Sequence, residues 1–153
     1  MELAKIILTA VFTISGGVIL FCFTTVANKL FFEPVLALRK TLGDISFSLQ
    51  YHAWAIHAGQ GVVKPERLEA IFEELRTLVA RMRAEANSII GYRQAERLRL
   101  IPPHQNIIDA AGHVIRLSNT LGSERWDTLA EDWKAVSQLL KIDVGRPKYK
   151  KEA

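Results

Sequence analysis

The four histidines are the side chains of this sequence best suited to metal or proton chemistry, and their spacing keeps them apart. His52 and His57 are five residues apart, which on a helix places them about 140° apart around the axis. His104 and His113 are nine apart, so on a helix they lie about 13 Å apart along the axis. A metal would need ligands from another helix. We therefore predict no metal site and no bound cofactor.

The carboxylates and serines show no arrangement typical of an enzyme. Adjacent acids such as Glu73 and Glu74, or Glu131 and Asp132, point about 100° apart on a helix and do not converge as an acid and base would. We interpret them as solvated faces. No serine lies in a nucleophile-elbow sequence. The sequence predicts no catalytic residue, and an enzyme would require residues brought together by the tertiary fold.

Basic residues recur with apolar ones in the stretch from residue 91 to residue 103. Its arginines and apolar residues are interleaved as Arg93, Arg97, Leu98, Arg99, Leu100 and Ile101. This pattern is typical of a segment that lies on a lipid surface. The alternative is that the apolar residues close one end of a helical domain while the arginines are solvated.

The C-terminal tail is also basic, and we predict that it faces anionic lipid together with the three arginines. Its cations crowd into the last eight positions as Arg146, Lys148, Lys150 and Lys151. Nucleic-acid binding is not predicted, because the segment from 65 to 91 nearly balances its basic residues with five glutamates.

One concentration of aromatic side chains lies outside the apolar N-terminal segment, at Tyr51, His52 and Trp54. Most such groups are part of a core, where the tyrosine hydroxyl finds a partner. The alternative interpretation is a recognition patch at the far end of a helix.

The elements that must position these residues begin with a predicted transmembrane anchor, residues 1–30. Residues 6–27 form a run of 22 without charge, which spans about 33 Å as a helix and matches a bilayer core. A cleaved signal peptide, with residues 25–27 as a weak cleavage site, is the alternative. Its apolar region would normally be about 7 to 15 residues long.

Charges on the two sides of the anchor predict its orientation. The N-terminal side carries Lys5 and the amino group against Glu2, whereas Lys29, Arg39 and Lys40 follow the span. Because basic residues stay inside, the N-terminus is expected outside and the C-terminal domain in the cytoplasm.

Small residues recur at intervals of four within the anchor, at Thr9, Thr13 and Gly17. Such spacing permits the close approach of a second helix, and it makes a homo-oligomer possible. A monomeric anchor with ordinary threonine and glycine content is the alternative.

The rest of the chain predicts an all-α fold, an antiparallel four-helix bundle over residues 31–142 with a disordered basic tail at 143–153. Apolar residues recur every three or four positions between proline and glycine breaks, and sustained alternation is absent. The predicted helices cover 34–58, 65–91, 103–121 and, after a cap at Ser123, about 124–142. Alternatively the anchor runs directly into the first of them, with a kink at Pro34.

This connectivity has a geometric consequence for the arginines. A helix of about 25 residues carries the chain roughly 37 Å away from the membrane, and the next helix returns it. Residues 91–103 should then lie near the lipid, and the basic tail should return to the same end.

The chain carries the segments RLRLIP at 97–102, NIIDAA at 106–111 and RLSNTL at 116–121, with FEP at 32–34 and KTLG at 40–43. Together they resemble a family of small bacterial single-span membrane proteins with a C-terminal helical domain. The resemblance covers nearly the whole chain. It implies a bacterial inner (plasma) membrane location and carries no activity with it.

Taken together, these features favour a non-enzymatic membrane protein whose cytoplasmic domain binds a protein partner or organises others at the bilayer. One alternative is an effector that oligomerises through Thr9, Thr13 and Gly17 and perturbs the bilayer. Another is an enzyme that acts at the lipid headgroup near Arg93 and Arg99.

Overall fold

The computed structural model describes residues 2–57, 63–120 and 126–145, and its regular elements are all helices, with no strand among those residues. The all-α prediction is therefore confirmed. The helices are α1 Glu2–Ala27, α2 Glu33–His57, α3 Pro65–Ser88, α4 Tyr92–Arg97, α5 His104–Thr120 and α6 Trp126–Leu140. The predicted glycine stops at 59–61 and 122, the cap at Ser123 and the basic tail from Arg146 onwards lie outside the described residues.

The first two helices form one continuous rod, because a π-helical turn at Asn28–Phe32 joins α1 to α2. There the Glu33 N–H donates to the carbonyl of Asn28, five residues back. Pro34 explains the wider turn, since proline has no N–H and its ring crowds the carbonyl four residues before it. The expectation of a fresh helix start at Pro34 is wrong, and the alternative of a continuous helix is confirmed.

Helix α1 exposes its large apolar side chains on every side. Phe12, Phe21 and Phe23 are each about 70% exposed. Among the described residues, the rod Ala4–Ile56 is the one helix whose length and composition suffice to cross a membrane. No other described part of the chain covers its apolar stretch, as expected for side chains that contact lipid.

The remaining long helices pack in chain order, α2 against α3, α3 against α5 and α5 against α6. Their apolar stripes meet in one core, as predicted. The side chains that are essentially inaccessible include Leu38, Ile45, Leu49, Ile71, Leu75, Met82, Ile107, Val114, Leu117, Leu129 and Leu140. Ile108 was expected in the α5 stripe, but it lies at the edge of that stripe and is 40% exposed.

The chain that follows α6 folds back on the domain. Val144 is buried, and the indole N–H of Trp133 points at the carbonyls of Val144 and Gly145, each 3.2 Å away. The Ser46 hydroxyl and the Gln50 amide of α2 donate to the carbonyl of Asp143. The last described residues therefore bring the end of α6 back to α2.

Candidate functional site

The connection between α3 and α5, which we call the α4 segment (residues 91–103), lies beside the exit of the anchor. It begins at Gly91, whose φ of 80° is a left-handed conformation that glycine adopts at little cost. A Cβ at this position would stand 3.8 Å from the ring of Phe31, in the turn that joins α1 to α2. The segment therefore sits where the rod enters the domain, as the predicted connectivity requires.

The predicted arginines of this segment all point outwards. Arg93, Arg97 and Arg99 are exposed, while Ala95 on the inner side of α4 is buried. The helix α4 itself was not predicted. Six residues are too few to show a helical period. The expectation that α3 extends to Gly91 is wrong, since α3 ends at Ser88.

The apolar residues of the α4 segment fit two interpretations of the sequence, a segment on a lipid surface and a set of residues that closes one end of the domain. Leu98 is 65% exposed beside the arginines, whereas Leu100 is partly buried and Ile101 is 5% exposed. Leu100 and Ile101 therefore close the end of the core. Leu98 alone remains available for a lipid surface, and that contact stays a prediction. The other predicted surface residues, Lys148, Lys150 and Lys151, lie outside the described residues.

Tyr92 fixes the return of this segment to the domain. Its hydroxyl donates to the carbonyl of Pro102 at 2.8 Å, and its ring meets His104 edge to face at 5.1 Å. Burial raises the pKa of Tyr92 to about 12, and the nearby charge of Glu96 adds to the rise. The phenol is therefore held in its neutral, donating form.

A cleft of about 360 Å³, which we call the basic cleft, opens next to the α4 segment. Three elements each supply one basic residue to it, Arg39 from α2, Arg99 after α4 and Lys141 after α6. Its remaining lining is mostly apolar and includes Leu42, Leu100, Ile101, Leu140 and Ile142. Arg99 belongs to the predicted membrane-surface set, whereas the sequence did not indicate that Arg39 and Lys141 would join it.

Three aromatic side chains form an exposed row on α2, which we call the aromatic face (Phe47, Tyr51 and Trp54). They are 68%, 65% and 60% exposed, respectively. The rings of Phe47 and Tyr51 stack with centres 5.7 Å apart, and the guanidinium of Arg67 lies 5.9 Å from the centre of the Trp54 ring. The interpretation of Tyr51 and Trp54 as core residues is therefore wrong.

The sequence carried a signal for this face. The apolar stripe of α2 runs through Ile45 and Leu49, and positions 47, 51 and 54 fall on the opposite side of a helix with 3.6 residues per turn. His52 faces inwards instead and pairs with Glu74 of α3 at 3.1 Å.

A cluster of polar side chains lies between α5 and α6, where a cleft of about 430 Å³ opens. The Asp132 carboxylate lies 2.6 Å from Nδ1 of His113 and 3.0 Å from the Arg116 guanidinium. Asp132 is 7% exposed, so its interpretation as part of a solvated face is wrong. The sequence could not show this, because the carboxylate and its partners lie on different helices. These contacts join α5 to α6. Among the described residues, no three potential metal ligands lie close together.

The small residues of α1 keep an open surface. The hydroxyl of Thr9 donates to the carbonyl of Lys5, and that of Thr13 to the carbonyl of Thr9, both at 2.9 Å. A Cβ on Gly17 would meet no described atom within 4 Å. The hydroxyls are thus satisfied within the helix, and the close approach of a second copy stays a prediction.

Comparison with known proteins adds no relative to this picture. No protein-family model, curated protein or solved structure matches the chain. The resemblance to small bacterial single-span proteins accordingly stays a prediction.

Proposed function

We propose that this chain is a single-span membrane protein that holds a helical interaction domain at the cytoplasmic face of the inner membrane, where the aromatic face docks a protein partner. The observation that carries the proposal is the exposure of Phe47, Tyr51 and Trp54 along one side of α2. Exposed aromatic side chains grouped in this way are typical of interaction surfaces.

The spacing of the three side chains specifies the kind of partner. Positions 47, 51 and 54 correspond to i, i+4 and i+7, the pattern of anchors with which a helix inserts into an apolar groove. The partner should therefore offer a groove lined by apolar side chains. Arg67, which lies over Trp54, adds a cation at one end of the face that suits an acidic residue on the groove's rim.

Lipid is a poor occupant for the aromatic face. Phe47 and Trp54 follow Pro34 by 13 and 20 residues, which places them about 20 and 30 Å further along the rod. In an antiparallel four-helix bundle that stands on the anchor, this face lies well away from the bilayer surface. The α4 segment and its arginines then occupy the membrane-proximal end.

Site-specific photocrosslinking in the native membrane tests the proposal. The full chain would carry p-benzoylphenylalanine in place of Tyr51 or, as a control, in place of Asp109 on the exposed side of α5. We expect a discrete adduct with a different protein from position 51 and none from position 109. Adding Phe47→Ser and Trp54→Ser should abolish the adduct while the helical circular dichroism is kept.

The same experiment separates the alternatives. An absence of adducts from position 51, or identical adducts from both positions, would overturn the docking role. An adduct of twice the chain's mass would mean self-association, and it would favour the oligomerising effector built on Thr9, Thr13 and Gly17.

A further inference from the structure

The basic cleft concentrates positive charge. Arg39, Arg99 and Lys141 come from three different parts of the chain, and none of the described residues that line the cleft is acidic. Within the described ranges, these three side chains form no ion pair. Three cations at one opening repel one another, so an anion that binds between them would relieve the repulsion.

The backbone conformation at two of these cations is a second, independent observation about the cleft. Among the described non-glycine residues, the two with positive φ are Arg99 at 56° and Lys141 at 54°, and both line the cleft. Each follows the end of a helix, where glycine normally takes the left-handed position at lower cost. The chain instead carries a long cation at both positions.

We propose that the basic cleft binds the phosphate of an anionic phospholipid headgroup. The guanidinium groups of Arg39 and Arg99 supply the planar paired donors that suit phosphate oxygens, and Lys141 adds a third charge. Leu100, Ile101 and Ile142 offer an apolar wall for the glycerol and the first methylenes of the lipid.

The position of the cleft favours a lipid as the source of the phosphate. Arg39 lies five residues beyond Pro34, about 8 Å along the rod from the anchor's exit. At this depth a headgroup of the adjoining leaflet can reach the cleft without leaving the bilayer. The inference rests on the membrane placement of the proposed function, and it is independent of what binds the aromatic face.

Native mass spectrometry of the full-length protein in detergent tests the inference, with phosphatidylglycerol and phosphatidylcholine as the added lipids. We expect one phosphatidylglycerol to be retained in preference to phosphatidylcholine. Replacing Arg99 and Lys141 together by glycine should weaken that retention at least tenfold. Glycine accepts the left-handed backbone, so this double variant should unfold no more easily than the natural chain.

Arg81→Gln, which removes an exposed cation of α3, is the matched control and should retain the lipid fully. Equal retention by the double variant and the natural chain, or equal loss in the control, would overturn the inference. If inorganic phosphate binds the cleft while phosphatidylglycerol shows no preference, the site takes a free phosphate and the lipid source is wrong. A crosslink from position 51 that persists in the double variant shows that the two proposals stand or fall separately.

Discussion

At the scale of single residues, the hydroxyl of Tyr92 links the α4 segment to the domain through a hydrogen bond that needs its neutral form. Burial and the charge of Glu96 raise its pKa to about 12 in the folded chain. Because the unfolded phenol ionises near pH 10, the neutral hydroxyl stabilises the fold fully below about that pH. This contribution is lost as the pH rises from about 10 through 12.

Tyr92→Phe tests this account. The variant loses the hydrogen bond to the Pro102 carbonyl, so at pH 8 it should be less stable by about 0.5–1.5 kcal/mol. The difference from the natural chain should shrink between pH 10 and 12, as measured by urea unfolding in detergent. A difference that stays constant across this range would contradict the assignment.

Asp132 holds α5 and α6 together from a buried position, and its neighbour Glu131 provides a matched control. Asp132→Ala removes the carboxylate that His113 and Arg116 contact, and we expect a loss of about 1–3 kcal/mol in the free energy of unfolding. Glu131→Ala removes an exposed carboxylate and should change stability by less than about 0.5 kcal/mol. Similar losses in both variants would mean that the contact with His113 and Arg116 contributes nothing.

Residue by residue, the sequence identified the core well and the polar contacts poorly. Leu75 and Met82 follow from helical periodicity alone, because one face of a packed helix must be apolar. The carboxylate of Asp132 meets His113 across two helices, and no local pattern encodes that meeting. Tyr51 was interpreted as a core residue because it is aromatic. Its position in the helical repeat of α2 places it on the exposed side instead.

At the scale of elements, proline positions predicted the starts of two helices to within a residue. Pro65 opens α3, and the pair at 102–103 precedes α5, since proline is tolerated in a first helical turn. Pro34 misled the prediction of a separate helix because a π-helical turn absorbs its missing N–H and lets the rod continue. The helix α4 escaped notice because its six residues are shorter than two helical turns.

The packing of α3 can be tested through Leu75, which is fully buried at the centre of the domain. Leu75→Ala should lower the free energy of unfolding by about 2–5 kcal/mol, through lost burial and the cavity it leaves. Leu36→Ala makes the same chemical change at a side chain that is 63% exposed, and its effect should be much smaller. Thermal unfolding followed by circular dichroism gives both values, and equal losses would mean that α3 is not packed as described.

At the scale of the whole molecule, two surfaces with different chemistry lie at different heights along α2. The end of the domain next to α1 carries the basic cleft and the exposed arginines of the α4 segment, and the aromatic face lies further along α2. The all-α class and the apolar span were predictable, since both depend on periodicity and length. The cleft was not, because its three cations are distant in sequence and meet through tertiary packing.

The most direct test of the central claim, a cytoplasmic domain held by one membrane span, is thiol accessibility in intact cells. In a Cys22→Ser background, single cysteines would be placed by Glu2→Cys before the span and Gln105→Cys at an exposed position of α5. We predict that a membrane-impermeant maleimide labels position 2 in intact cells and position 105 after the inner membrane is permeabilised. Labelling of position 105 in intact cells would contradict the account.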